Sequence, residues 1–224
     1  MTDLAGVFPP IPPGCGPVAL LSSNEFLPSA EPFDRAMLAA SRGTRIALLP
    51  AAAGADAPNA ARHFIDHYRR FGADPTALDI VRRDRATAGA LGSFDILFLC
   101  GGSPALLLDV VRDTPLWAEA LARWRAGATL AGSSAGAMAL CADAQTPGPG
   151  DRVPTQWGAG LGPLRGVAVA VHANERPHAW LKQSAASAPC PLVAMDNDTG
   201  IILRAGADPI VAGPGRIAVV DPAS

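Results

Sequence analysis

Residues 132–136 read Gly132-Ser133-Ser134-Ala135-Gly136, a serine framed by glycines at the spacing Gly-x-Ser-x-Gly. That spacing suits nucleophilic acyl transfer. The chain must turn sharply from strand into helix, and small neighbours let the apical hydroxyl project from the sheet edge. Aliphatic Thr129-Leu130-Ala131 precedes the turn and the helix-forming Ala135-Gly136-Ala137-Met138 follows it. Amides at the start of such a helix can stabilise an oxyanion. A Ser/Gly-rich helix cap would use the same residue types, but the strand–turn–helix context favours Ser134 as a nucleophile, with Ser133 one position before the apex.

A serine nucleophile needs a base, and the chain holds four histidines. His63 and His67 stand four apart among arginines, an i, i+4 pair without an evident third metal ligand, and are expected to face solvent. His172 directly follows the apolar run Val167–Val171, at the carboxyl end of a strand, where sites in open parallel sheets gather. It is the expected general base, and His178 is the reserve. A third group should orient the imidazole. Between Ser134 and His172 the carboxylates are Asp143 and Asp151; Asp196, at the end of a later strand, is a further candidate. Gly101-Gly102 also follows a strand, so the Gly102 and Ala135 amides together form a candidate oxyanion hole.

These residues need a frame that brings strand ends together. Strands are expected at Pro17–Leu21, Thr44–Leu49, Leu78–Val81, Asp95–Cys100, Thr129–Ala131, Val167–Val171 and Leu192–Met195. Helices are expected at Glu31–Ser41, Asn59–Phe71, Ala86–Leu91, Pro104–Arg112, Leu116–Ala126, Ala135–Ala144 and Pro177–Ala186. The Gly/Pro-rich stretch 145–164 reads as an irregular loop, and the tail after Asn197 as short antiparallel edge strands. This alternation predicts an α/β fold with a largely parallel sheet flanked by helices. Residues 1–16, rich in proline, read as a loosely held extended arm, and residues 17–224 as one domain.

Composition narrows the function classes. The chain has 224 residues, 49 % of them hydrophobic and 17 % charged, with a net charge of -2. No basic stripe suggests nucleic-acid binding, no apolar run reaches membrane-spanning length, and no leader pattern opens the chain. Cys15, Cys100, Cys141 and Cys190 lack metal-site spacing. The expectation is a cytoplasmic protein without cofactor or metal and without a nucleic-acid or membrane partner, with self-association left open.

Taken in order, the motifs resemble the aspartyl dipeptidase (peptidase E) and cyanophycinase family of serine peptidases. The resemblance rests on Gly16–Phe26, on Gly101-Gly102, on Gly132–Met138, on Gly160-Leu161-Gly162 leading into Val167–His172, and on Asp196 with Thr199. It implies a class I glutamine amidotransferase-like fold, a flavodoxin-like three-layer sandwich, and cleavage of short peptides through an acyl-enzyme. Within that family Ser134 would be the nucleophile, His172 the base, Gly102 and Ala135 the oxyanion donors. The acid would fall fifteen to eighteen residues after the serine, which favours Asp151. A pocket for an acidic substrate would need a cation, and Arg176 is the candidate, with Glu175 competing for it. Ser103-Pro104 and Ala170-Val171 depart from the family pattern. Two rivals share these features: an α/β-hydrolase esterase and a non-catalytic binding protein of the amidotransferase-like fold.

Overall fold

The computed structural model describes residues 4, 6–147 and 154–221. In chain order the elements are β1 (Val18–Leu21), α1 (Glu31–Ala40), β2 (Arg45–Leu49), α2 (Ala57–Arg69), β3 (Asp74–Ala77), β4 (Ile96–Leu99), α3 (Pro104–Val111), α4 (Pro115–Arg125), β5 (Thr129–Ser133) and α5 (Ala135–Ala139). They continue with β6 (Asp143–Pro147), β7 (Pro154–Ala159), β8 (Ala168–Ala170), α6 (His178–Ser187), β9 (Leu192–Met195), β10 (Gly200–Arg204), β11 (Ala207–Ala212) and β12 (Ile217–Val219).

Strands β1, β4 and β5 are buried along their whole length, as strands covered on both faces by helices must be. They lie within a seven-stranded sheet of order β11-β10-β1-β5-β4-β2-β3. The five strands from β1 to β3 run parallel, while β10 and β11 add an antiparallel edge. Helix α1 packs toward β10 and β11, α2 on β3, and α5 on β5. The result is the expected three-layer α/β architecture. A smaller sheet, β12-β9-β8, carries the strands whose carboxyl ends lead to His172 and Asn197.

Local chemistry starts the helices. Proline occupies the first turn of α1, α2, α3 and α4, where its fixed φ fits and its missing N–H is not needed. Ser103 accepts from the Leu106 amide and Thr114 from the Trp117 amide as side-chain caps. The Ser103-Pro104 pair is thus a cap followed by a helix-starting proline.

Four expectations change. The strand predicted at Leu78–Val81 forms instead at Asp74–Ala77, pairing with β2 from an edge position that tolerates Pro75. The helix predicted over Ala86–Leu91 is replaced by a 3-10 turn at Arg83–Arg85 and further turns. The helix predicted over Ala135–Ala144 stops at Ala139, because residues 160–164 lie alongside its end. There the Ala142 amide donates to Leu164 O at 2.6 Å and the Leu164 amide to Leu140 O at 3.1 Å. Part of the predicted loop 145–164 is strand, with β6 paired antiparallel to β7.

Two segments are more buried than expected. Phe8 and Ile11 of the supposed loose arm enter the core, and the Gly16 amide and carbonyl bond to Trp124 O and Trp124 Nε1, both at 2.8 Å. His67 is 2 % exposed, not solvent-facing. Its Nε2 lies 2.7 Å from Asp34 Oδ2, and Arg70 Nη2 lies 2.7 Å from its Nδ1. Because a guanidinium can only donate, Nδ1 accepts and Nε2 carries the proton toward Asp34. His63, one turn earlier, is exposed as expected.

Candidate active site

The carboxyl ends of β1, β4, β5, β8 and β9 converge, and each contributes one part of the site. At the end of β5, Ser134 adopts φ 49° and ψ −109°, a conformation that a non-glycine residue reaches only at a cost. Its amide donates to Leu21 O at 2.9 Å, and its carbonyl accepts from the Met138 amide at 3.0 Å. The flanking glycines are required by contact. A Cβ on Gly136 would sit 2.2 Å from Leu99 O of β4, and one on Gly132 would sit 2.5 Å from the Gly136 carbonyl carbon. The turn is therefore pressed against β4 with no room for side chains.

His172 follows β8 in the left-handed region, at φ 56° and ψ 36°. Its Nε2 lies 3.0 Å from Ser134 Oγ. Its backbone is held from below: the His172 amide donates to Ser22 Oγ at 2.8 Å, and Ser22 Oγ donates to Met195 O at 2.8 Å. Ser22 thus ties the end of β1 to the ends of β8 and β9.

His172 Nδ1 lies 3.0 Å from Asn197 Oδ1. Among the described residues the group facing this nitrogen is an amide, two residues beyond β9, a residue type outside the carboxylates expected from the sequence. Asp196, the adjacent candidate, turns its carboxylate to the Arg216 amide at 2.9 Å and holds β12 instead. Asp143 lies in β6 beside Cys190 Sγ at 3.9 Å. Asp151 lies outside the described residues. The available signal for Asn197 was the polar run Asp196-Asn197-Asp198-Thr199, placed immediately after an aliphatic strand.

The short turn Ala173–Glu175 then encloses Asn197. The Asn197 amide N–H donates to Asn174 Oδ1 at 2.9 Å, and Asn197 Nδ2 donates to Glu175 Oε1. Glu175 therefore does not pair with Arg176 in the expected competition; it serves Asn197. Arg176 places its guanidinium carbon 5.3 Å from the centre of the Trp180 ring, within the range of a cation–π contact. His178, the reserve base, begins α6.

The segment after β1 holds the remaining pieces. Glu25 accepts from the Gly101 amide at 2.7 Å through Oε1, and from Ser133 Oγ at 2.8 Å through Oε2. One carboxylate thereby links the turn after β4 to the residue before Ser134. Ser23 Oγ accepts from the Asp198 amide at 3.2 Å, and Asn24 Nδ2 donates to Asp198 Oδ1 at 2.9 Å. Gly102, at φ 129°, packs so closely on Ala52 that a Cβ would come within 2.2 Å of its carbonyl oxygen. Beside it opens a cavity of about 460 Å³, lined by Glu25, Phe26, Asp56, His63, Gly101 and Gly102 among others. That size is in the range of small-molecule sites.

The arrangement can pass a proton from Ser134 Oγ to His172 Nε2, provided that Nδ1 donates to Asn197. Among the described residues no group of three or more His, Cys, Asp or Glu is placed to hold a metal ion.

The model of peptidase family S51 matches residues 18–207, which include every residue of this constellation. No curated protein matches the chain in sequence. Among solved structures, a peptidase from an acI-B1 actinobacterium is similar over 93 % of this chain and 91 % of its own, with TM-score 0.77 and 25 % identity. A candidate peptidase E protein from Listeria monocytogenes EGD-e shares the fold over 89 % of this chain and 99 % of its own, with TM-score 0.65 and 18 % identity.

Proposed function

The chain belongs to peptidase family S51, and from that premise we propose that it hydrolyses short peptides with Ser134 as nucleophile, His172 as proton shuttle and Asn197 as the group that orients the imidazole. The observation that carries this reading is the 3.0 Å approach of Ser134 Oγ to His172 Nε2, made by a serine held in a strained turn. Ser134 Oγ attacks the scissile carbonyl while its proton moves to Nε2. The negative charge that develops on the carbonyl oxygen is received by the Gly102 and Ala135 amides, each such donor being worth about 3 kcal/mol in acyl-transfer sites. Collapse of the intermediate expels the amine, which takes the proton from Nε2. Water then repeats the sequence and releases the acid from the acyl-enzyme.

In this proposal Asn197 takes the place expected of Asp151. An amide oxygen can hold the Nδ1–H tautomer, although it offers the imidazolium less charge compensation than a carboxylate would. Arg176 is the proposed contact for a substrate carboxylate, with Trp180 keeping its guanidinium plane in place. A cytoplasmic setting is supported by four unpaired cysteines, since such thiols persist where the medium is reducing.

Fluorophosphonate labelling with peptide mapping, run beside a panel of dipeptides and tripeptides, tests the proposal. Label is expected on Ser134. Ser134→Ala should lose labelling and lower turnover by about 10³-fold or more, and His172→Ala should do the same. Wild-type turnover by Ser134→Ala sinks the assignment.

A further inference from the structure

We propose that Glu175 is a positioning residue that sets the tautomer of His172 by dictating which end of the Asn197 amide faces the imidazole. The inference rests on the peptidase reading above for its kinetic consequence, but not for its structural one.

A primary amide has an accepting end and a donating end that are nearly equal in shape. Either end of Asn197 would fit against His172 Nδ1. With Oδ1 there, Nδ1 must carry the proton and Nε2 offers a lone pair to Ser134. With Nδ2 there, Nδ1 must accept, the proton moves to Nε2, and the ring can no longer take the Ser134 proton. Packing by itself does not distinguish the two. Glu175 does, because an ionised carboxylate only accepts. Its Oε1 faces Asn197 Nδ2, which leaves Oδ1 for His172 at 3.0 Å. The Asn197 backbone is fixed separately by Asn174 Oδ1 at 2.9 Å, so Glu175 has only the amide plane to set.

Orientation outweighs charge here. Glu175 is exposed, and the field of a solvated carboxylate acting through an intervening amide is screened. The hydrogen bond, by contrast, acts on a choice between two states. Placing the wrong tautomer of a triad histidine against serine costs about 10⁴-fold in turnover in a related geometry. Partial flipping after loss of Glu175 should therefore cost about 10- to 100-fold in kcat, with KM little changed.

The test uses a substitution that removes the need for orientation. An aspartate at position 197 presents oxygen from either side. Glu175→Ala is expected to lower kcat, and adding Asn197→Asp to it should recover most of the loss. Asn197→Asp alone sets two carboxylates against each other and should be less active than the double variant. Thermal midpoints of all three check that they are folded. The tautomer itself is read by ¹⁵N NMR of histidine-labelled protein, with His172→Gln to assign the signal. Wild type should show the Nδ1–H pattern and Glu175→Ala a shift toward Nε2–H. An unchanged tautomer in Glu175→Ala, or a folded double variant with no recovery, overturns the proposal. A tautomer shift in a protein that cleaves no peptide supports the role of Glu175 and removes the peptidase reading instead.

Discussion

Ser134 and His172 both have positive φ, as do Asn24, Phe26 and Asp198. Conformations of this kind cost on the order of 1–3 kcal/mol each and persist only where surrounding contacts over-determine them. Here the contacts are nameable: Leu21 O and Ser22 Oγ hold the two backbones, and Glu25 ties the turn after β4 to the end of β5. Glu25→Ala removes the acceptor of two donors at once, and a partly buried donor left unpaired costs about 1–3 kcal/mol. Turnover of Glu25→Ala should fall about tenfold or more. Glu25→Gln should stay close to wild type, since its Oε1 can still accept from Gly101 and its Nε2 can donate to Ser133 Oγ. Steady-state kinetics on the two variants decide this, and equal rates for Glu25→Ala and wild type would remove Glu25 from the machinery. At this scale Ser134 and His172 were legible, because each follows a strand in the primary sequence. Asn197 was not. The type of residue that orients an imidazole depends on what else can reach Nδ1, and that is a property of space.

Among the elements, strand and helix starts were the most legible because proline, serine and threonine act locally at helix N-termini. Their ends were less so. Ala135–Ala144 has the composition of a helix, yet the Leu140–Ala142 backbone pairs with residues 160–164 and the helix ends at Ala139, with Leu140 as its cap. A single turn gains little from propensity, so tertiary bonding wins. The strand at Asp74–Ala77 was displaced for a similar reason: pairing with β2 fixes it, not the aliphatic run that follows. The contact of the Ser134 turn with β4 is directly testable. Gly136→Ala forces a Cβ into Leu99 O, and overpacking of this kind costs typically 1–3 kcal/mol. For a chain of this size that lowers the thermal midpoint by several degrees. Gly158→Ala, whose Cβ would meet nothing within 4 Å, is the control and should leave the midpoint unchanged. Equal midpoints for both variants would contradict the tight packing of this turn on β4.

For the whole molecule, burial separates the thiols into two classes. Burial pushes Cys100 and Cys141 up to about 12, while Cys190, less buried and beside Asp143, is raised for the same leading reason. Thiolates are the reactive form, so at pH 8 the two core cysteines stay protonated as well as shielded. A thiol-specific chromogenic reagent should modify Cys15 and Cys190 in the native protein, and Cys100 and Cys141 only on unfolding. Rapid reaction of all four in the folded state would show that the core opens far more readily than its packing implies. Among the described residues no helix is long and apolar enough to cross a membrane. The α/β class and its central parallel sheet could be anticipated from alternation alone. The strand order could not, since it depends on crossovers that skip β4 and β5 and fill them later.

The sequence by itself determined the strand-to-helix turn at Ser134, because Gly132, Ser134 and Gly136 act through backbone geometry within five residues. It also determined that His172 stands at a strand end. Only the tertiary structure decided what those groups work with. Asn197 meets His172 across 25 residues, Glu25 meets Gly101 across 76 and Ser133 across 108. Hydrogen bonds of such separation are selected by where strands end in the sheet, and a linear pattern of residue types carries no record of that neighbourhood.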